Sequence, residues 1–91
     1  MEDLHDDNQV LENLLGRMKK IEGQARGIQR MLEEGRDCEE IVLQLAAMRA
    51  AIGKVAMAVI GGYLEECLLN RKDMTLAEAV EKAKQIILKF S

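Results

Sequence analysis

Residues 38–67, CEEIVLQLAAMRAAIGKVAMAVIGGYLEEC, decide how this chain folds. The stretch contains no proline, and Ile41, Val42, Leu45, Met48, Ile52, Val55, Met57, Val59, Ile60 and Leu64 fall on nearly every face of a 3.6-residue helix. A helix that is apolar all round has to be covered on all sides. With Leu68 it extends from about Glu39 to Asn70, roughly 45 Å at a rise of ~1.5 Å per residue, which exceeds the width of a small globule. Part of its surface is therefore predicted to be covered by another chain. Ala46, Ala47, Ala50, Ala51, Gly53, Ala56 and Ala58 cluster around its midpoint and would let two such helices approach closely. Cys38 and Cys67, the two cysteines of the chain, stand at its ends, roughly 40 Å apart along one helix. They cannot meet within a subunit. Laid antiparallel on its own copy and crossing near Ile52 and Gly53, the helix would bring Cys38 of one chain beside Cys67 of the other.

Upstream, Val10, Leu11, Leu14, Leu15, Met18, Ile21, Ala25, Ile28, Met31 and Leu32 recur at three- and four-residue steps, which predicts a helix from Val10 to about Glu34. Lys19, Arg26 and Arg30 lie opposite that stripe, and Arg17, Lys20 and Gln24 flank it. Gly35 is the expected stop, and Asp37 with Glu40 resembles a capping box opening the next helix. A second box, Thr75 with Glu78, opens a third helix whose apolar side is Leu76, Ala79, Val80, Ala83, Ile86, Ile87 and Phe90. Tyr63 and Phe90 are the only aromatics in a chain that is 48% hydrophobic, so the core is aliphatic, as in helix bundles. The expected fold is all-α: one domain over residues 1–91, a three-helix subunit whose long hairpin doubles into an antiparallel four-helix-bundle dimer. Residues 1–9 are expected to be a mobile acidic tail.

The acidic start lacks the parts of a signal peptide, and the sequence shows no uninterrupted apolar run of ~18 residues, which excludes a membrane protein on this reading and predicts a cytoplasmic one. Two cysteines in that compartment point to metal or redox chemistry more than to a structural disulfide. Net charge is −3, but its distribution is uneven. Residues 1–15 carry Glu2, Asp3, Asp6, Asp7 and Glu12 without a base, while 16–36 set Arg17, Lys19, Lys20, Arg26, Arg30 and Arg36 against Glu22, Glu33 and Glu34. A basic surface can sit on an acidic protein. Arg49 and Lys54 interrupt the apolar middle helix, where charge is costly unless it emerges at a used surface. Arg17, Lys19, Lys20, Arg26, Arg30, Arg49 and Lys54 are thus the candidate DNA contacts. With no recognition-helix turn, zinc finger or stacking aromatics, contact would run through backbone phosphates and shape. No acid/base pair or cofactor loop suggests an enzyme.

Cys38 opens its helix, where the dipole favours a thiolate while Glu39 and Glu40 act against it. Cys67 lies at the far end beside Glu65 and Glu66, an asymmetry that suits a nucleophile and a resolving partner. Tyr63 precedes Cys67 by one turn and shares its face. The single histidine, His5, sits in the acidic tail. Zn and Cu sites take three or four Cys, His or carboxylate ligands, so two cysteines without a neighbouring histidine make a poor one. The reading is accordingly a protein with no metal cofactor, with Cu(I) held by Cys38, Cys67 of the other chain and a non-standard third ligand such as His5 as the alternative.

The segment Gly16-Arg-Met-Lys-Lys-Ile-Glu-Gly-Gln-Ala-Arg-Gly-Ile-Gln-Arg-Met31, followed by Cys38, resembles the signature of the CsoR/RcnR family of bacterial repressors. The resemblance covers nearly the whole chain. It implies a three-helix subunit, an antiparallel four-helix-bundle dimer, and a tetramer of two dimers that binds operator DNA. Copper-sensing members hold Cu(I) with two cysteines and a histidine across the dimer. Cys38 and Cys67 match the cysteines, and Tyr63 stands where the histidine would be. Nickel/cobalt and formaldehyde sensors also use histidines lacking here, so the pattern resembles the persulfide-sensing CstR type. By the same resemblance Arg17 and Lys54 match basic positions used on the operator. The expected function is a repressor that responds to persulfides through an intersubunit Cys38–Cys67 di- or polysulfide and then releases DNA.

Overall fold

The computed structural model describes the backbone of residues 8–70 and 75–91, and side chains of 9–65 and 75–91. Three helices follow in order: α1, Asn8–Glu33; α2, Cys38–Asn70; and α3, Leu76–Phe90. The described residues contain no strand. The all-α expectation holds, and each helix lies within two residues of its predicted limits. Of the expected tail, Asn8 and Gln9 are already helical, because the apolar stripe beginning at Val10 carries the helix back by two residues. Residues 1–7, with His5, lie outside the described residues.

The chain divides into two compact units, Glu12–Ala56 and the pair of segments Met1–Leu11 with Met57–Ser91. In the first, α1 and the first half of α2 form a helical hairpin. Ile21 and Ile28, two turns apart on α1, are its buried residues, at 7% and 6% exposure. The turn between the helices is closed by backbone chemistry. Arg36 N–H donates to the Met31 carbonyl at 2.9 Å and Gly35 N–H to Leu32 at 3.2 Å, the paired bonds of a Schellman ending. Gly35 takes φ +68°, a left-handed conformation that costs side-chain-bearing residues ~1 kcal/mol or more. Ile41 N–H then donates to the Asp37 carbonyl at 3.1 Å and starts α2. The expected Asp37–Glu40 box takes another form. Both Glu40 oxygens are engaged by the Arg36 guanidinium, Nε at 3.3 Å and Nη2 at 2.8 Å.

In the second unit the Thr75–Glu78 box forms as predicted. Thr75 N–H donates to Glu78 Oε1 at 2.8 Å, and Glu78 N–H donates to Thr75 Oγ1 at 3.2 Å. Ile60 of α2 and Ala79 and Ala83 of α3 are buried here. α3 ends at Ser91, whose N–H and hydroxyl both donate to the Ile87 carbonyl, at 3.0 and 2.9 Å.

One expectation is corrected. Cys38–Glu65, 28 residues of α2, is long and apolar enough by length and composition to cross a membrane. The sequence reading sought an uninterrupted apolar run, and Gln44, Arg49 and Lys54 interrupt it without removing the overall hydrophobicity. Arg49 and Lys54 sit near the middle of that segment, where each would cost about 3 kcal/mol in a bilayer. A helix that needs a protein partner and one that needs lipid share this composition. α2 leaves Val42, Leu43, Leu45, Ile52, Met57 and Val59 exposed in the single chain.

Candidate functional site

Both features singled out by sequence can be located within the hairpin unit. The first is a cleft of about 610 Å³ between α1 and α2, lined by Glu12, Asn13, Gly16, Arg17, Lys20 and Gln24 on one side and Ala47, Ala50, Ala51 and Lys54 on the other. Residues 13, 16, 17, 20 and 24 recur at three- and four-residue steps and so share one face of α1. Three cations, Arg17, Lys20 and Lys54, therefore converge on one concavity whose opposite wall is alanine. Arg17 Nε donates to Asn13 Oδ1 at 2.8 Å. Lys54 is exposed despite its apolar surroundings in α2, as is Arg49. Lys19, Arg26, Arg30 and Arg49 are exposed on the same unit but do not line the cleft.

The second feature is the turn carrying Cys38. This thiol is free and exposed, because it is the first residue of α2, beyond the turn that ends α1. Arg36, two residues earlier, bridges Glu40 at 2.8 Å and Glu34 at 3.6 Å. The guanidinium is held above the ordinary arginine value, chiefly by its hydrogen bond to Glu40 and then by the charge of that carboxylate. The sequence reading counted Arg36 only as one base among six. Its spacing of four from Glu40 was the signal available, and the same spacing linked Asn13 to Arg17. Tyr63 is half-buried in the other unit. Cys67 belongs to the last turn of α2, and its side chain lies outside the described residues.

The model of the family described as "Metal-sensitive transcriptional repressor" matches residues 11–89. The chain belongs to that family. It is 31% identical to the copper-sensing transcriptional repressor CsoR of Bacillus subtilis (strain 168) over 88 residues, covering 96% of this chain and 87% of that protein. To the copper-sensing repressor RicR of Mycobacterium tuberculosis (strain ATCC 25618 / H37Rv) it is 34% identical over 64 residues, 70% of this chain and 67% of that one. Among solved structures, the nickel-responsive transcriptional regulator InrS superposes with a TM-score of 0.73 at 29% identity, covering 89% of this chain and 92% of that chain. The CsoR/RcnR resemblance is thereby established, and the protein is a transcriptional repressor of a metal-sensing, DNA-binding family, not an enzyme.

The family overturns one expectation. No metal cofactor was the primary reading, and it does not survive a family described as metal-sensitive, with relatives named for copper and nickel. The expectation rested on Tyr63 standing where copper-sensing members carry a histidine, and a changed ligand does not take the chain out of a metal-sensing family. Among the described residues no group of three or more His, Cys, Asp or Glu side chains could hold a metal ion. Around Cys38 the available neighbours are carboxylates, hard donors unlike the thiolate and imidazole that Cu(I) prefers, and Glu40 is already committed to Arg36. The described residues of a single subunit do not fit a metal.

Proposed function

We propose that this repressor binds operator DNA through the hairpin cleft, with Arg17, Lys20 and Lys54 against backbone phosphates and Lys19, Arg26, Arg30 and Arg49 adding to the surrounding field. The observation that supports this most is the convergence of three cations on one alanine-walled cleft. Such contacts weaken steeply with salt as counterions are released. The working particle is a cytoplasmic tetramer of two antiparallel dimers, in which a partner copy covers the apolar face of α2.

The inducer acts on thiols, Cys38 and Cys67 of the partner subunit, with Tyr63 beside them one turn before Cys67. Sulfur exchange requires only two thiols that can approach each other. The Cys38 thiolate takes the outer sulfur of a persulfide and releases the donor as its thiolate. Cys67 of the partner subunit then attacks the Cys38 sulfur and expels hydrosulfide, leaving an intersubunit disulfide. Further sulfur transfers before closure lengthen the bridge. A coupling of ~3 kcal/mol between bridge and operator would lower affinity about 150-fold. Cu(I) on the same thiols, with a third ligand, is the second reading; two of the relatives are named as copper-sensing. The test titrates operator-bound protein with a persulfide donor and, in parallel, with Cu(I), reading DNA release by anisotropy and covalent mass by mass spectrometry. Release by persulfide with whole-sulfur mass gains is expected. Release by stoichiometric Cu(I) alone would transfer the assignment to copper.

A further inference from the structure

The Asn13–Arg17 hydrogen bond gives the cleft a property that its charges alone do not. A guanidinium is planar and carries five N–H donors in a fixed fork. It can grip a phosphate along the edge formed by Nε and one Nη, or along the edge formed by both Nη atoms. Here Nε is already donating to Asn13 Oδ1 at 2.8 Å, so the edge with both Nη atoms is the one left for a bidentate contact. The neighbouring position on the same face is Gly16, where an added Cβ would meet no atom within 4 Å. The space in front of that backbone is open, and the facing wall is Ala47, Ala50 and Ala51.

We propose that Asn13 is a positioning residue for operator binding: it fixes the Arg17 guanidinium so that its two Nη atoms face one DNA backbone phosphate seated in the cleft over Gly16. Lys20 and Lys54 flank that phosphate, and Glu12, the one acidic residue in the lining, disfavours a second phosphate at its end. The inference rests on the cleft's being the operator surface, and the experiment separates the two. Asn carries no charge, so its removal lowers affinity without changing the number of counterions released. Alanine is also the better helix former, so Asn13→Ala cannot weaken binding by melting α1.

Operator affinity of the full-length protein is measured by anisotropy across a salt series for wild type, Asn13→Ala, Arg17→Ala and the double variant. Asn13→Ala is expected to bind about three- to tenfold more weakly, the range that a hydrogen bond's net contribution spans, with the wild-type salt slope. Arg17→Ala should bind more weakly still and flatten the slope by about 0.9 for each phosphate that is no longer neutralised. In the Arg17→Ala background, Asn13→Ala should have no further effect. If Asn13→Ala binds as wild type, or costs the same with and without Arg17, the positioning role is overturned while the cleft reading stands. Should Arg17→Ala and Lys54→Ala both keep wild-type affinity and slope, the cleft reading falls and the inference with it.

Discussion

α1 and α2 are both long helices, 26 and 33 residues, yet their surfaces are opposites. α1 segregates its residues: Ile21 and Ile28 are buried and the bases are exposed, although Leu15, Met18 and Leu32 of its apolar stripe also remain exposed. α2 has no such separation. Of its described side chains only Ile60 and Gly62 are buried, while Leu43 is 62% exposed and Val42 55%. One subunit covers part of the apolar stripe of α1 and far less of α2, whose apolar residues lie on nearly every face. The difference divides the labour. On the function proposed above, the segregated helix presents its charge to operator DNA, and the unsegregated one is the candidate interface, since contiguous exposed apolar surface marks an interaction site.

The strongest way to break this comparison is at the midpoint of α2. A Cβ added to Gly53 meets no atom within 4 Å in the subunit, and leucine is a better helix former than glycine by ~1 kcal/mol. Gly53→Leu is therefore expected to keep α2 helical, which circular dichroism checks, and Gly53→Ala, whose Cβ meets nothing, is the milder control. If a partner helix crosses there, Gly53→Leu should raise the dimer dissociation constant by a hundredfold or more, read by sedimentation equilibrium. A wild-type protein that sediments as a well-folded monomer at micromolar concentration would remove the assignment of α2 as the assembly helix.

The two ends of α2 sharpen the comparison next. Cys38→Ser should abolish the persulfide response, whereas Cys67→Ser should stop at a persulfidated, uncrosslinked Cys38, visible as a whole-sulfur mass gain without a covalent dimer on a non-reducing gel. Equal behaviour of the two variants would contradict the division into attacker and resolver. A smaller effect belongs to the charged side. Lys54→Ala should weaken operator binding and reduce the salt slope by about 0.9 if it neutralises one phosphate, leaving helix content unchanged. Lys54 is the informative choice because it stands on α2 yet lines the cleft with α1.

Much of this was legible in the chain because it rests on periodicity. The apolar steps of α1, the proline-free apolar run of α2 and the Thr75–Glu78 box place three helices to within two residues. The Gly16–Met31 segment pointed to the family that its model then matched. Pairings were harder to read. Glu40 looked like the closing member of a capping box, and a guanidinium four residues earlier outcompeted the backbone for it. Ala47, Ala50 and Ala51 read as a helix-crossing patch, and they also wall the cleft facing Gly16 and Arg17, since one small residue serves any close approach. The metal was misjudged for a different reason: Tyr63 in place of a histidine argued against a metal, and the loss of one expected ligand does not exclude a metal in a family described as metal-sensitive.

The smallest expected effect tests the junction of the two helices. Gly35 holds φ +68° in the bonds that end α1, and Gly35→Ala should cost ~1 kcal/mol because a Cβ disfavours that conformation. No atom lies within 4 Å of the added Cβ, so the cost is one of backbone conformation and not of packing. Thr75→Ala, which removes the hydroxyl that accepts from Glu78 N–H in the other unit, should cost a similar ~1 kcal/mol. Each would lower the melting temperature by roughly 4–8 °C in a two-state domain of this size. If the two compact units unfold together, both variants shift one transition equally. If α2 links units that melt separately, Thr75→Ala leaves the transition of the hairpin in place while Gly35→Ala moves it.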